Sequence, residues 1–263
     1  MTHKVLHSER WENAPDVHLK EVDSTNELAK RWLKKELPPE GTMIRADHQT
    51  AGKGQRGRTW KDQYGSSLLV SFITYPHFLQ PEKHFFLNAA FILSVGDAID
   101  KLSQAGEVQF KWPNDLIWGD QKLGGILIEA SLQDEAFKWC VTGLGLNVFE
   151  KAWGEIQDRI SLEEIAENVP TLSKWSSEIK RSFEARYNQL REAYREDILE
   201  LYNHRLWARN QEVGIYENGN WIGQGEVLYV NGYGELVVFI NGRETTLQWG
   251  VHQIRKMHQP EKP

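Results

Sequence analysis

The chain is predicted to be an α+β protein: a mixed central sheet with flanking helices, followed by a small C-terminal β-barrel. Three observations carry this. Runs of strand character and runs of helical spacing are interleaved through the first two hundred residues. A block from Val108 to Val148 reads as four consecutive strands, which favours antiparallel neighbours over a doubly wound sheet. Past Arg209 the helical pattern stops. Short β-like runs then alternate with Glu217-Asn218-Gly219-Asn220, Val230-Asn231-Gly232 and Asn241-Gly242, turn signals typical of a small barrel. The expected units are therefore residues 1–208 and 209–263.

Each element has a local reason. His18 to Val22 reads as a strand, and Ser24-Thr25-Asn26-Glu27 as a capping box opening a helix with Leu28, Trp32 and Leu33 on its apolar face. Pro38-Pro39 ends that segment. Thr42 to Ala46 and Ser67 to Thr74 read as strands, and Pro81 opens a helix to about Leu102. Candidate strands follow at 108–111, 116–118, 123–130 and 137–148, with Gly119-Asp120 as a hairpin turn. Ser161 with Glu164 is a second capping box. From Leu172 to about Trp207 the pattern is helical and heavily charged, read as a solvated outer face.

Composition narrows the function. At 263 residues the chain is long enough to bury roughly three quarters of its unfolded surface. Its 31 basic and 37 acidic residues give a net charge of -6, which argues against general nucleic-acid binding. The single cysteine, Cys140, excludes an intramolecular disulfide; its apolar neighbours suggest a buried strand thiol. Met1 to Arg10 has no apolar run and no stretch matches a membrane span, so a cytoplasmic protein is expected.

Against the acidic total, Gly52 to Arg58 packs three glycines and three cations into seven residues. Glycine allows backbone N–H groups to approach an anion, and Lys53, Arg56 and Arg58 add charge, so a phosphate-bearing ligand is expected. Gly52-x-Gly54-x-x-Gly57 formally matches the dinucleotide fingerprint, but Thr59 to Ser66 is a poor helix and no carboxylate stands where a ribose would be held. A P-loop needs Ser or Thr after its lysine; here Gly54 follows Lys53. Four more segments bear on the choice. Asp23-Ser24-Thr25-Asn26 sits at a strand-to-helix junction, where polar groups can orient a ligand ring. Lys111-Trp112-Pro113-Asn114-Asp115 is a Pro-fixed turn, which alone could be a decorated surface turn. Lys122-Leu123-Gly124-Gly125-Ile126-Leu127-Ile128-Glu129 and Gly143-Leu144-Gly145-Leu146-Asn147-Val148 place glycines inside strands, a sign of close backbone approach.

Together these residues resemble the biotin protein ligases: the glycine-cation loop, KWPND at 111–115, KLGGILIE at 122–129 and GLGLNV at 143–148 follow in the family's order. The resemblance is strong over about residues 16–150 and weaker beyond. It implies the class II synthetase-like biotin/lipoate ligase fold, with an SH3-like terminal barrel. It also implies a two-step reaction, in which biotin and ATP with Mg²⁺ form biotinyl-5′-AMP and the biotinyl group then passes to a lysine of a biotin carboxyl carrier domain. By that resemblance Lys111, Lys122, Asp115, Arg56 and Arg58 are catalytic. Biotin is held by Ser24, Thr25, Asn26, Gln49, Gly52, Lys53, Gly54, Gln55, Arg56, Gly57, Lys122, Gly124 and Gly125. ATP is held by Lys53, Arg56, Arg58, Trp60, Lys111, Asn114, Lys122 and Asn147. Asp115 would orient or deprotonate the incoming amine, and the loop would order over the adenylate. Gln55 stands where many members carry an arginine, so leakier adenylate retention is implied. With the first ligand strand beginning near His18, a preceding winged helix does not fit; the expectation is a monofunctional ligase without operator binding, a monomer or homodimer, and no membrane partner. A lipoate or octanoate ligase and a non-catalytic biotin sensor are the alternatives. The polar Ser24-Thr25-Asn26 and Gln49 favour a ureido ring over an alkyl chain, and the full set of cations with Asp115 favours turnover.

Overall fold

The computed structural model describes residues 10–103, 105–150 and 158–257; residues 1–9, most of the N-terminal stretch without an apolar run, lie outside them. The first sheet has seven strands: β1 (Asp16–Val22), β2 (Met43–Gln49), β3 (Ser67–Thr74), β4 (Gln109–Lys111), β5 (Asp115–Trp118), β6 (Gln121–Gln133) and β7 (Ala136–Asn147). Their order is β1-β2-β3-β7-β6-β5-β4. Only β1 and β2 pair in parallel, joined through helix α1 (Thr25–Leu33); every other neighbour is antiparallel, so the sheet is mixed as expected.

The two faces of this sheet have different fates. One carries α2 (Phe85–Ser103) and α4 (Leu172–Arg191), which pack on each other and both on the sheet. The expected long helix begins one turn later than read, because Pro81–Lys83 forms a 3-10 turn first. With the sheet on one side and α4 on another, α2 is buried nearly all round. The charged segment is not solvated throughout. Trp175, Ile179, Phe183 and Tyr187 recur every four residues and are fully buried, and Phe183 meets Phe91 edge-on at 4.6 Å. Charges occupy the remaining face. The short helices α3 (Leu162–Ile165) and α5 (Arg195–His204) complete this layer.

The opposite face is covered only in part. Ala29 and Leu33 of α1 pack on Ile44, Ile73 and Val141. Ser24 caps α1 by accepting from the Glu27 N–H at 3.5 Å, but the return half of the capping box is not made: the Glu27 carboxylate turns to Lys30 and Lys53. The second capping box does form, with Glu164 accepting from both Ser161 N–H and Oγ at 2.7 Å.

The second sheet comprises β8 (Glu212–Glu217), β9 (Asn220–Val230), β10 (Leu236–Ile240), β11 (Arg243–Leu247) and β12 (His252–Lys256), all antiparallel, in the order β11-β10-β9-β8-β12. Two Asn-Gly turns have positive φ at both central residues (48° and 88° at Asn218-Gly219, 51° and 79° at Asn241-Gly242), the primed-turn geometry their sequences predict. Val213, Ile215, Val227 and Leu236 share one apolar cluster with α2 and α4. Gly234 marks the seam. A Cβ there would lie 2.6 Å from Phe85 Cβ, and the Gly234 carbonyl accepts from Trp112 Nε1 at 2.9 Å.

Cys140 lies buried in β7, and burial pushes its thiol pKa up to about 12. The thiolate is the reactive species, so the folded protein should not react with a thiol-specific disulfide reagent at pH 8, whereas one thiol should titrate in denaturant. Rapid labelling of the native chain would contradict this placement. No helix among the described residues is long and apolar enough to cross a membrane.

Candidate active site

The site grows from a cross-strand row. Lys111 pairs with Asp115, Asp115 with Gly125, and Gly125 with Gly145, in four successive strands. Directly opposed residues project on the same face. Two cells of this row are glycines, so the sheet is bare there, on the side away from α2. Gly143, two residues along β7, extends the bare floor towards Asn26 of α1. Trp60 lies flat against the strand at Gly145, where a Cβ would come 2.5 Å from its ring. A cavity of about 1100 Å³ opens over this floor, room for an elongated ligand with two dissimilar ends.

One end is charged. Residues 122 and 125 are three apart and would face opposite sides of a regular strand. The pairing of β5 with β6 shifts register between Leu116 and Ile117, and this bulge brings Lys122 to the face of Asp115 and Gly125. Lys122 Nζ meets Asp115 Oδ1 at 2.6 Å. Lys111, opposite Asp115, lies over the Trp207 ring at 4.5 Å; burial pushes its pKa down, and Asp115 pulls it back up. The turn between them contains a cis Trp112–Pro113 bond. Asn88 Nδ2 binds the Pro113 carbonyl at 2.9 Å, and Asn114 Nδ2 donates to the Ile126 carbonyl at 2.5 Å. Asn114 thus commits one N–H to the scaffold and keeps its second N–H and its oxygen for other partners.

The other end is polar and uncharged. Gln49 Oε1 accepts from Thr25 N–H at 2.7 Å and from Thr25 Oγ1 at 3.1 Å, which turns its Nε2 donors toward other partners. Ser71 Oγ lies 2.7 Å from Thr25 Oγ1 and 2.6 Å from Asn26 Oδ1. Asn26 Nδ2 donates to Leu127 O (3.3 Å) and Glu129 Oε2 (2.9 Å). Asn26 borders the cavity, yet both ends of its amide are engaged within the protein, so its part is to hold the pocket wall. Lys30, at 2.6 Å from Glu129 Oε1, fixes that carboxylate.

The glycine-cation loop is a small hairpin rather than a helix start. Lys53 bridges Thr59, Gly54 N–H donates to Arg58 O at 2.7 Å, and Trp60 N–H to Gly52 O at 2.9 Å. Arg56 (φ 54°) and Gly57 (φ 73°) make its tip. Lys53 pairs with Glu27 of α1. Gln55 Oε1 accepts from Trp249 Nε1 at 3.3 Å, and Arg56 reaches the His252 carbonyl at 3.5 Å.

Ser24, Thr25, Asn26, Gln49, Lys53, Gly54, Gln55, Arg56, Arg58, Trp60, Lys111, Asn114, Asp115, Lys122 and Gly125 all line the cavity. Four of the expected residues do not. Gly124 faces the core, where a Cβ would meet Leu116 and Leu146; alternation along β6 puts only one of the paired glycines on the floor. Asn147 is buried and gives its amide to Lys122 O (3.2 Å) and Ile160 O (3.1 Å), so it supports the strand that carries Lys122. Gly52 is bare because a Cβ would strike Trp60 O at 2.6 Å, and Gly57 serves the tip of the loop. Other lining residues were missed. Arg159 stands over the Trp60 ring at 5.5 Å and donates to Lys61 O at 2.9 Å; β12 contributes His252 to Lys256. The adjacent cations Arg255-Lys256 were a faint signal for the second; Arg159 and Ser71 had none.

The sequence profile described as "Biotin/lipoate A/B protein ligase family" matches residues 19–147, which contain the loop, both floor strands and the Lys111–Asp115 turn. Residues 19–147 carry the biotin/lipoate A/B protein ligase domain. Among its relatives is the bifunctional ligase/repressor BirA of Bacillus subtilis, 33% identical over 131 residues, 49% of this chain and 39% of that protein. The chain thus spans about two fifths of the length of the Bacillus relatives it matches. The biotin--[acetyl-CoA-carboxylase] ligase of Mycobacterium tuberculosis is 28% identical over 213 residues, 80% of this chain and 78% of the relative. Among solved structures, the biotin protein ligase from Aquifex aeolicus in complex with biotin and ATP superposes with a TM-score of 0.79 at 26% identity, covering 92% of this chain and 99% of that one. The family likeness therefore extends through the second sheet.

Proposed function

We propose that the chain is an ATP-dependent biotin–protein ligase, with residues 1–208 as the catalytic unit and 209–263 as an accessory unit. The observation that carries this reading is the cavity's polarity: an amide-and-hydroxyl end at Thr25 and Gln49, a glycine floor, and a Lys122–Asp115–Lys111 end. Biotin has the matching shape, a ureido ring joined by an apolar chain to a carboxylate. Gln49 Nε2 can donate to the ureido oxygen; Gly125 leaves the sheet open to the chain, and Gly145 makes room for the Trp60 ring that walls it.

The carboxylate then reaches Lys122. In the first step a carboxylate oxygen attacks the α-phosphorus of ATP and pyrophosphate leaves. Both reactants are anions, so Lys122, Lys111 and Arg58 lower their repulsion and stabilise charge growing on the phosphoryl oxygens. ATP enters as its Mg²⁺ complex. The phosphates supply the hard oxygen ligands that such an ion takes. In the second step a lysine amine of a biotin carboxyl carrier domain attacks the acyl carbon, the C–N bond forms, and AMP departs. Asp115 engages Lys122 through one oxygen, and its other oxygen can accept the amine proton.

The test is ATP–pyrophosphate exchange with purified protein and Mg²⁺, run separately with biotin, lipoate and octanoate. Exchange with biotin alone is expected. Exchange with lipoate or octanoate in its place would keep the chemistry and replace the substrate, and tight biotin binding without exchange would make the chain a sensor.

A further inference from the structure

The glycine-cation loop has a neutral Gln55 where charge was expected, and this glutamine is not idle. Its Oε1 accepts the indole N–H of Trp249, a residue of the turn between β11 and β12. Trp249 is itself fixed from behind: its ring meets Phe85 edge-on at 6.0 Å and His84 at 5.1 Å, at the start of α2. One residue further along the loop, Arg56 reaches the His252 carbonyl, at the first position of β12. The two contacts tie the tip of the loop to the second sheet from a distance of some two hundred residues in sequence.

We propose that Trp249 is a positioning residue, whose N–H, through Gln55, holds the loop closed over the acyl-adenylate, so that retention of the intermediate depends on the second sheet. The inference rests on the ligase reading above. A hydrogen bond of this kind is directional and insensitive to salt, unlike a cation laid on a phosphate. It acts only on the loop, since Trp249 does not line the cavity. The opening of the loop and the loss of adenylate are then governed by a contact remote from the reacting atoms, while biotin, bound at Thr25 and Gln49, is indifferent to it.

The experiment uses the full chain with Trp249→Phe, which keeps the ring packing on Phe85 and removes the donor, alongside Gln55→Ala and the double variant. Adenylate is formed from biotin and α-labelled ATP with pyrophosphatase, then chased with unlabelled nucleotide, and its release is timed; biotin affinity is measured separately by calorimetry. Loss of one net hydrogen bond corresponds to about a fivefold faster release. The expected result is that increase in Trp249→Phe, with biotin affinity within about twofold of the parent. The double variant should release adenylate no faster than Gln55→Ala alone, because both substitutions break the same bond. Release at the parental rate in Trp249→Phe, or multiplicative effects in the double variant, would overturn the latch while leaving the ligase reading intact. A parent chain that forms no adenylate would overturn the ligase reading and the latch with it.

Discussion

Replacing Lys122 by glutamine is expected to lower biotin-dependent ATP–pyrophosphate exchange by about two to three orders of magnitude, the size of effect seen when a preorganised donor is withdrawn from a developing oxyanion. The reason lies in the geometry of the bulge. It holds Lys122 2.6 Å from Asp115 and above the bare backbone of Gly125, where carboxylate and α-phosphate must converge. Glutamine retains a donor and much of the length but not the charge, so the fold should persist. Thermal melting close to that of the parent, with biotin affinity reduced far less than exchange, would locate the loss in the chemical step. Exchange within tenfold of the parent would show that Lys111 and the loop cations suffice.

Gly143→Ala is expected to be the most damaging small substitution in the floor. The added methyl would fall inside van der Waals contact of Asn26 Oδ1 and 3.0 Å from its Cγ. Asn26 cannot retreat easily: Ser71 holds its oxygen, and Glu129 and Leu127 hold its nitrogen. Overpacking of this kind costs about 1–3 kcal/mol, and any shift of Asn26 disturbs the Thr25–Gln49 pair beside it. Chemical denaturation should show the lost stability, and calorimetry a biotin affinity weaker by at least an order of magnitude. Adding Asn26→Ala removes the obstacle and should recover part of the stability. Unchanged stability and affinity in Gly143→Ala alone would mean that α1 moves aside freely.

Much of this could be read before the structure. Ser67 to Thr74 was placed residue for residue, because five apolar residues in an eight-residue run bounded by turns leave little choice. Lys111, Asp115 and Lys122 were singled out by the resemblance of KWPND and KLGGILIE to the biotin protein ligases, and the structure brings all three to one cavity. What stayed hidden depended on long-range register. Gly124 and Gly125 are equivalent in sequence, and only pairing with β5 and β7 decides that Gly125 faces the cavity and Gly124 the core. Asn147 looked like a ligand amide and is a strut, since nothing local reveals that Ile160 returns beside it. The charged helix α4 hid its aromatic stripe behind a high count of surface charges. Arg159 lies beyond the strands that carry the motifs, and nothing in its neighbourhood announced it.

The hairpin that joins β6 to β7 turns at Asp134 and Glu135, both with positive φ, so that Gln133 faces Ala136. It lies at the far end of both strands from Gly125 and Gly145, yet together with the register shift between Ser131 and Leu132 it sets the phase in which they meet. A turn one residue longer or shorter could leave the sheet hydrogen-bonded while offsetting one strand by a single step, and each side chain on it would then point to the wrong side. Leu144 or Leu146 would stand where Gly145 makes room for the Trp60 ring, and that wall of the cavity would be displaced. The hairpin and the bulge beside it act as a gauge for the cavity, which makes the turn's two-residue length and that one-residue shift as much a property of ligand recognition as any group that touches the ligand.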